Sequence, residues 1–157
     1  MVLGAKLVIS NTKPLIPTYK DYFFECEAIS NFKKEYISLW PGWLGIENLH
    51  KLQSVTETDW SKFNTLITTI SDSFQVWIPN HEAESLTQVI DIQTTLSSYE
   101  ESEKKDSSQF SQYLIYELGC VITESWDYTY ILWHQDNHAV ETIKPFVVSA
   151  DLFSFRD

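Results

Sequence analysis

Apolar positions along this chain follow two different periods, and the change falls near Gly119. Upstream, Trp60, Phe63, Ile67, Ile70, Phe74 and Trp77 recur at three- and four-residue steps, with Leu66 beside them. That spacing predicts an amphipathic helix over residues 56–78, with Thr and Ser opposite the stripe. Thr56 or Thr58 can cap it, Asp59 suits the positive end of the helix dipole, and Pro79-Asn80 is the expected stop. Leu86, Val89, Ile92, Leu96 and Tyr99 predict a second helix from Glu82 to Tyr99. Phe110, Tyr113, Leu114 and Leu118 predict a third, from Ser107 or Ser108, stopped by Gly119. Between them EESEKKDSS, residues 100–108, reads as a solvent-exposed loop. Nearer the start, Tyr19, Tyr22, Phe23 and Cys26 fall at helical spacing behind a capping-box-like Thr18 and Asp21. YFFECEAI is also short and aromatic enough for a strand; helix is the preferred reading, continued by Phe32, Tyr36, Leu39 and Trp40 as far as Pro41-Gly42. Lys6 to Ser10 reads as a short strand, followed by a loop containing Pro14 and Pro17.

Beyond Gly119 the period falls to two. Cys120 to Ser125 and Tyr128 to His134 read as strands, joined through Trp126-Asp127, which lacks the glycine of a favoured hairpin turn. A bulge or one long bent strand is the alternative. Tyr128, Tyr130, Leu132 and His134 share one face, and Thr129, Ile131 and Trp133 the other. Both faces are apolar, so each is expected to be covered or to bind something. His138 to Ile143 and Phe146 to Phe153 read as further strands, interrupted at Lys144-Pro145. The expected fold is therefore α+β, with a helical N-terminal two-thirds packed on a C-terminal antiparallel sheet of about four strands. Residues 1–157 are expected to form a single domain.

Composition sharpens the functional side. The chain has 157 residues, 43% of them hydrophobic and 15% aromatic, enough for a substantial core and against global disorder. Net charge is −11, placed unevenly. Residues 81–120 hold two basic against eight acidic groups, and residues 121–157 two against six. The one arginine is Arg156. Nucleic acid and anionic membranes need clustered Lys and Arg, so neither is an expected direct partner. Cys26 and Cys120 are too few for a disulfide scaffold and read as small buried hydrophobes. No signal peptide or membrane span is legible, which makes the cytoplasm the expected location.

Candidate chemistry is sparse. His134, Asp136 and His138 form H-x-D-x-H, two imidazoles and a carboxylate of the kind that hold zinc or non-haem iron, but no further protein ligand is specified. Cys120, His134 and Asp127 have the residue types of a nucleophilic triad without a glycine cluster for an oxyanion hole. Four glycines in the whole chain exclude a phosphate-cradling loop. Glu124 and Asp127 could pair as acid and base, yet nothing fixes their spacing. No cofactor and no enzymatic activity is expected.

What remains is a surface. Glu124, Trp126, Asp127, Tyr128, Asp136 and Glu141 combine aromatic anchors with carboxylates, the combination that suits an interface with a basic protein. The two indoles of WPGWLG, residues 40–45, read either as plugs at the core edge or as a partner anchor. A small, acidic, aromatic-rich chain carrying the run ELGCVITESWDYTYILWH resembles the immunity proteins of bacterial toxin–immunity pairs, including those of contact-dependent inhibition. The resemblance implies a cytoplasmic inhibitor that binds and blocks a cognate toxin domain, often a basic nuclease. Two alternatives stand beside it: a nucleic-acid mimic that inhibits a DNA-binding defence protein, and a small metal-dependent enzyme using His134 and His138.

Overall fold

A computed structural model describes residues 14–100 and 104–157. The expected strand at Lys6 to Ser10, and three residues of the 100–108 loop, lie outside them. Among the described residues strands dominate. Nine strands and two α-helices follow in the order β1 (Phe23–Phe24), β2 (Glu27–Ala28), β3 (Lys33–Ser38), α1 (Glu57–Ser73), β4 (Val76–Asn80), β5 (Ser85–Gln88), β6 (Gln112–Ile115), β7 (Cys120–Ser125), β8 (Thr129–His134), α2 (Asn137–Ser149) and β9 (Phe153–Phe155). Seven of them form one antiparallel sheet in the order β5-β4-β6-β7-β8-β3-β9, and β1 pairs with β2 apart from it.

This corrects the expectation of a helical N-terminal two-thirds on a four-stranded sheet. Only α1 survives from the helical region, and the sheet draws on both halves of the chain. The β7–β8 hairpin lies inside the sheet, with β3 on its far side in register from Lys33↔His134 to Ser38↔Thr129.

Helix α1 forms where its stripe predicts. Thr56 Oγ1 accepts the Asp59 N–H at 3.3 Å and the Asp59 carboxylate accepts the Thr56 N–H at 2.9 Å, a reciprocal capping box. Trp60, Phe63, Leu66, Ile67 and Ile70 are buried against the sheet. The helix ends at Ser73 rather than near residue 78, because Val76 and Trp77 point to opposite sides of β4 and feed both cores. Pro79 lies within β4, beyond the two residues that pair with β6, where a proline costs the sheet little.

The other expected helices fail for local reasons. Asn80 Oδ1 accepts the Ala83 N–H at 3.1 Å, reversing the chain into β5 where a helix from Glu82 was expected. Val89, Ile92, Leu96 and Tyr99 then pack on the main core as an irregular strap. Its backbone is bonded from α1: the Ser97 carbonyl accepts Trp60 Nε1–H at 3.0 Å and Asn64 Nδ2–H at 3.3 Å. The expected 107–118 helix is instead β6 between two short 3-10 turns, with Tyr113 and Ile115 on one face and Leu114 on the other. Residues 18–40 give a 3-10 turn, the small β1–β2 hairpin and β3, so the strand reading of YFFECEAI is the correct one.

The expected strands over 138–143 and 146–153 are α2. Asp136 caps it, accepting the Ala139 N–H at 3.2 Å, and Ala139, Val140, Ile143 and Val147 bury one face. Exposed Pro145 sits within this helix rather than breaking it. Both sheet faces are covered over β4, β6 and β7. The two helices cover one, and an aromatic group including Tyr19, Tyr22, Phe23 and Phe32 covers the other. No described helix is long and apolar enough to cross a membrane.

Candidate functional site

The β7–β8 hairpin carries four of the six residues expected at a partner interface, and it divides them. Glu124 faces α1 and is 5% exposed. Its Oε2 lies 2.6 Å from Lys105 Nζ, and its Oε1 accepts Ser97 Oγ–H at 2.7 Å and the Ser111 N–H at 3.0 Å. Lys105 is buried too, donates to the Ser98 carbonyl at 2.9 Å, contacts Ser97 Oγ, and stands 4.8 Å over the Trp60 ring. Glu124 thus ties Ser97, Lys105 and Ser111 to the sheet from a buried position. Tyr128 is also buried, edge-on to Trp60. Trp126 and Asp127 alone of the four are exposed.

The turn explains the split. Ser125 pairs with Thr129 across three residues, and Asp127 and Tyr128 both take left-handed backbone angles, φ 57° and 56°. Such angles cost roughly 1–2 kcal/mol for a residue with a Cβ, less for Asp. The conformation carries Tyr128 inward and leaves Trp126 out. Asp136 and Glu141 lie past the other end of β8, the first as the α2 cap and the second exposed on α2, so the six do not form one cluster.

A different cluster is assembled. Over β8, β3 and β9 the sheet face opposite the helices carries Ile131, Trp133, Tyr36, Phe153 and Phe155, in register. Trp43, from the 40–45 loop, packs 4.7 Å from Tyr36 and 5.0 Å from Phe155, and its Nε1–H donates to Asp157 Oδ1 at 2.5 Å. Trp126 rests edge-on against Phe110 at 4.9 Å. Trp43, Trp126 and Phe153 remain 57%, 51% and 44% exposed, an unusual run of uncovered aromatic surface. Trp40, half-buried, packs on the main core and also lines the groove between Trp43 and Trp126. Trp126 borders a groove on either side, one lined by Asp127 and the other by Glu25 and Glu27. Lys34 is the cation within this face, 4.9 Å over Trp133. Tyr36 and Phe155 join this face because residues 33–38 form β3 rather than the expected helix and residues 153–155 form β9 beyond α2.

Catalytic readings find less geometry. Cys120 opens β7 and Asp127 lies in the turn beyond its end, separated by roughly 17–20 Å of strand, so the triad residues do not meet. Cys120 is buried, whereas Cys26 is exposed at the β1–β2 tip, a correction to its expected burial. Among the described residues no group of three or more His, Cys, Asp or Glu is placed to hold a metal ion. The Asp136 carboxylate is used as a helix cap, and His138 is exposed in the first turn of α2.

His134 is buried, and its Nδ1 lies 3.2 Å from the Asp136 carbonyl, so Nδ1 carries the proton and Nε2 finds no partner among the described residues. Burial lowers its pKa below the ordinary 6.5, an effect that Arg156 and Lys33 reinforce and that the Asp136 bond and Glu35 oppose. The unfolded chain therefore binds this proton first as pH falls, so stability is full above about 6.5 and declines below it. A His134→Gln variant, followed by urea denaturation from neutral to mildly acidic pH, is expected to lose part of that decline. An identical slope in both proteins would mean that His134 does not contribute.

No protein-family model, no curated protein and no solved structure matches this chain.

Proposed function

We propose that this chain is an acidic inhibitory domain that docks on a basic protein and occludes it, as immunity proteins do with toxin domains, through the face around Trp126. One observation carries the reading: the sheet half left uncovered by the N-terminal aromatic group is aromatic and bordered by carboxylates. Trp43, Trp126 and Phe153 supply contact area that becomes dry on binding and slows dissociation. Asp127, Glu25 and Glu27 border the grooves, and the net charge of −11 steers a cationic partner inward. The strain held in the 126–128 turn supports a functional reason for presenting Trp126. A nuclease-type toxin in the same cytoplasm is the partner that fits this chemistry.

The test is affinity capture from the native host at low and high salt, followed by assay of the captured protein's activity with and without this chain. A basic protein retained at both salts and inhibited on binding is expected. Trp126→Ala should weaken its binding by about 2 kcal/mol or more, roughly 30-fold, with unchanged denaturation. Unaltered affinity in that variant removes this face from the interface.

A further inference from the structure

We propose that the groove between Trp43 and Trp126 is an aromatic cage for a cation, and that its occupant is the guanidinium of an arginine on the basic partner. The occupant's source rests on the proposed function; the cage chemistry does not. Tyr36, Trp40, Trp43, Trp126 and Asp127 line one cavity of about 280 Å³. That lies at the lower end of small-molecule sites, room for one side chain rather than a cofactor.

Leu44, Leu49 and Leu52 complete the apolar wall, and the four aromatic rings and the carboxylate set in it are the components of cation recognition. The faces of indole and phenol rings carry negative potential, and a carboxylate adds the counter-charge. Two features strengthen the case here. Trp43 donates its N–H to Asp157 at 2.5 Å, which pushes electron density onto the ring faces. Trp43 is braced by Tyr36 and Phe155, and Trp126 by Phe110, so the rings are positioned before a ligand arrives. Indole faces in this chain already meet cations at Lys34–Trp133 and Lys105–Trp60. A planar guanidinium can stack on an indole while forking to Asp127, which an ammonium cannot. A second copy of this chain offers no substitute, since its one arginine, Arg156, binds Glu35 and Asn137.

The experiment is an NMR titration of the intact chain, following the indole N–H signals, with N-acetyl-arginine amide, its neutral citrulline isostere and tetramethylammonium. The arginine amide should move the Trp43 and Trp126 signals saturably, with an apparent Kd on the order of 10 mM. Asp127→Asn should weaken it about fivefold or more, and the citrulline compound should bind about tenfold more weakly. Unmoved Trp43 and Trp126 signals, or an equal response to citrulline, overturn the cage. Tighter binding of tetramethylammonium overturns the guanidinium assignment. No partner protein is present in this titration, so failure of the cage and failure of the Trp126 docking reading are observed separately.

Discussion

Replacing Lys105 by methionine is expected to destabilise the protein by about 3–5 kcal/mol. Glu124 keeps two neutral hydrogen bonds, from Ser97 and Ser111, but loses the cation paired with its buried carboxylate. A charge left alone at that depth has neither water nor a counter-ion, so the cost is that of stranding it rather than the net worth of the pair. At about 2–4 °C per kcal/mol for a chain of this size, Tm should fall by roughly 6–20 °C. Adding Glu124→Leu to Lys105→Met should recover much of the loss, because a dry apolar pair avoids both desolvation terms. Denaturant midpoints of the two single variants and the double variant form the required cycle. A loss within about 1 kcal/mol in the single Lys105→Met variant would falsify the buried pair, since exposed pairs are worth that much or less.

The second large effect is expected at Phe63. Its ring is fully buried in the middle of α1, stacked on Tyr130 at 4.6 Å and 12°, with Trp60 5.1 Å away. Phe63→Ala removes that stack and leaves a cavity bounded by a helix and a sheet, neither of which closes easily. The expected loss is about 3–5 kcal/mol by chemical denaturation. Phe153→Ala supplies the contrast. Its ring is 44% exposed, and its loss should cost below about 1 kcal/mol. Equal costs at the two positions would contradict this assignment of core and open face.

Helix α1 was legible because its cap, its stripe and its polar face agree. The β7–β8 hairpin was legible because period-two alternation survives on both faces. Residues 82–99 misled for a physical reason: Leu86, Val89, Ile92, Leu96 and Tyr99 keep helical spacing, yet they reach two different cores from a short strand, a 3-10 turn and irregular chain. Tyr113 to Ile115 is apolar on consecutive positions, a pattern shared by a twice-covered strand and a buried helix turn. In α2 the β-branched residues and Pro145 argued for strands, while the deciding signals were the Asp136 cap and the 139–140–143–147 spacing.

The site was half legible. Trp126 and Asp127 stand out by their type and their place at a turn, and the 40–45 indoles by their number around one Pro-Gly. Glu124 misled because its partner, Lys105, comes from the 100–108 stretch read as wholly exposed. Tyr36 and Phe155 meet only through the β3–β9 pairing of residues far apart in sequence, which no local pattern encodes.

That same pairing has a consequence for synthesis. Strand β3 finds its neighbours only in β8 and β9, after about ninety intervening residues. At roughly 5–20 residues per second, a ribosome takes about 5–20 s to deliver them. During that interval Ile37 and Tyr36 have no sheet to join, so the nascent chain carries an open strand edge with apolar side chains. Slow, late closure of a high-contact-order sheet follows, and such intermediates invite aggregation or chaperone capture. Expression yield should therefore respond more to changes that delay or weaken β8 and β9 than the folded molecule's stability alone would imply.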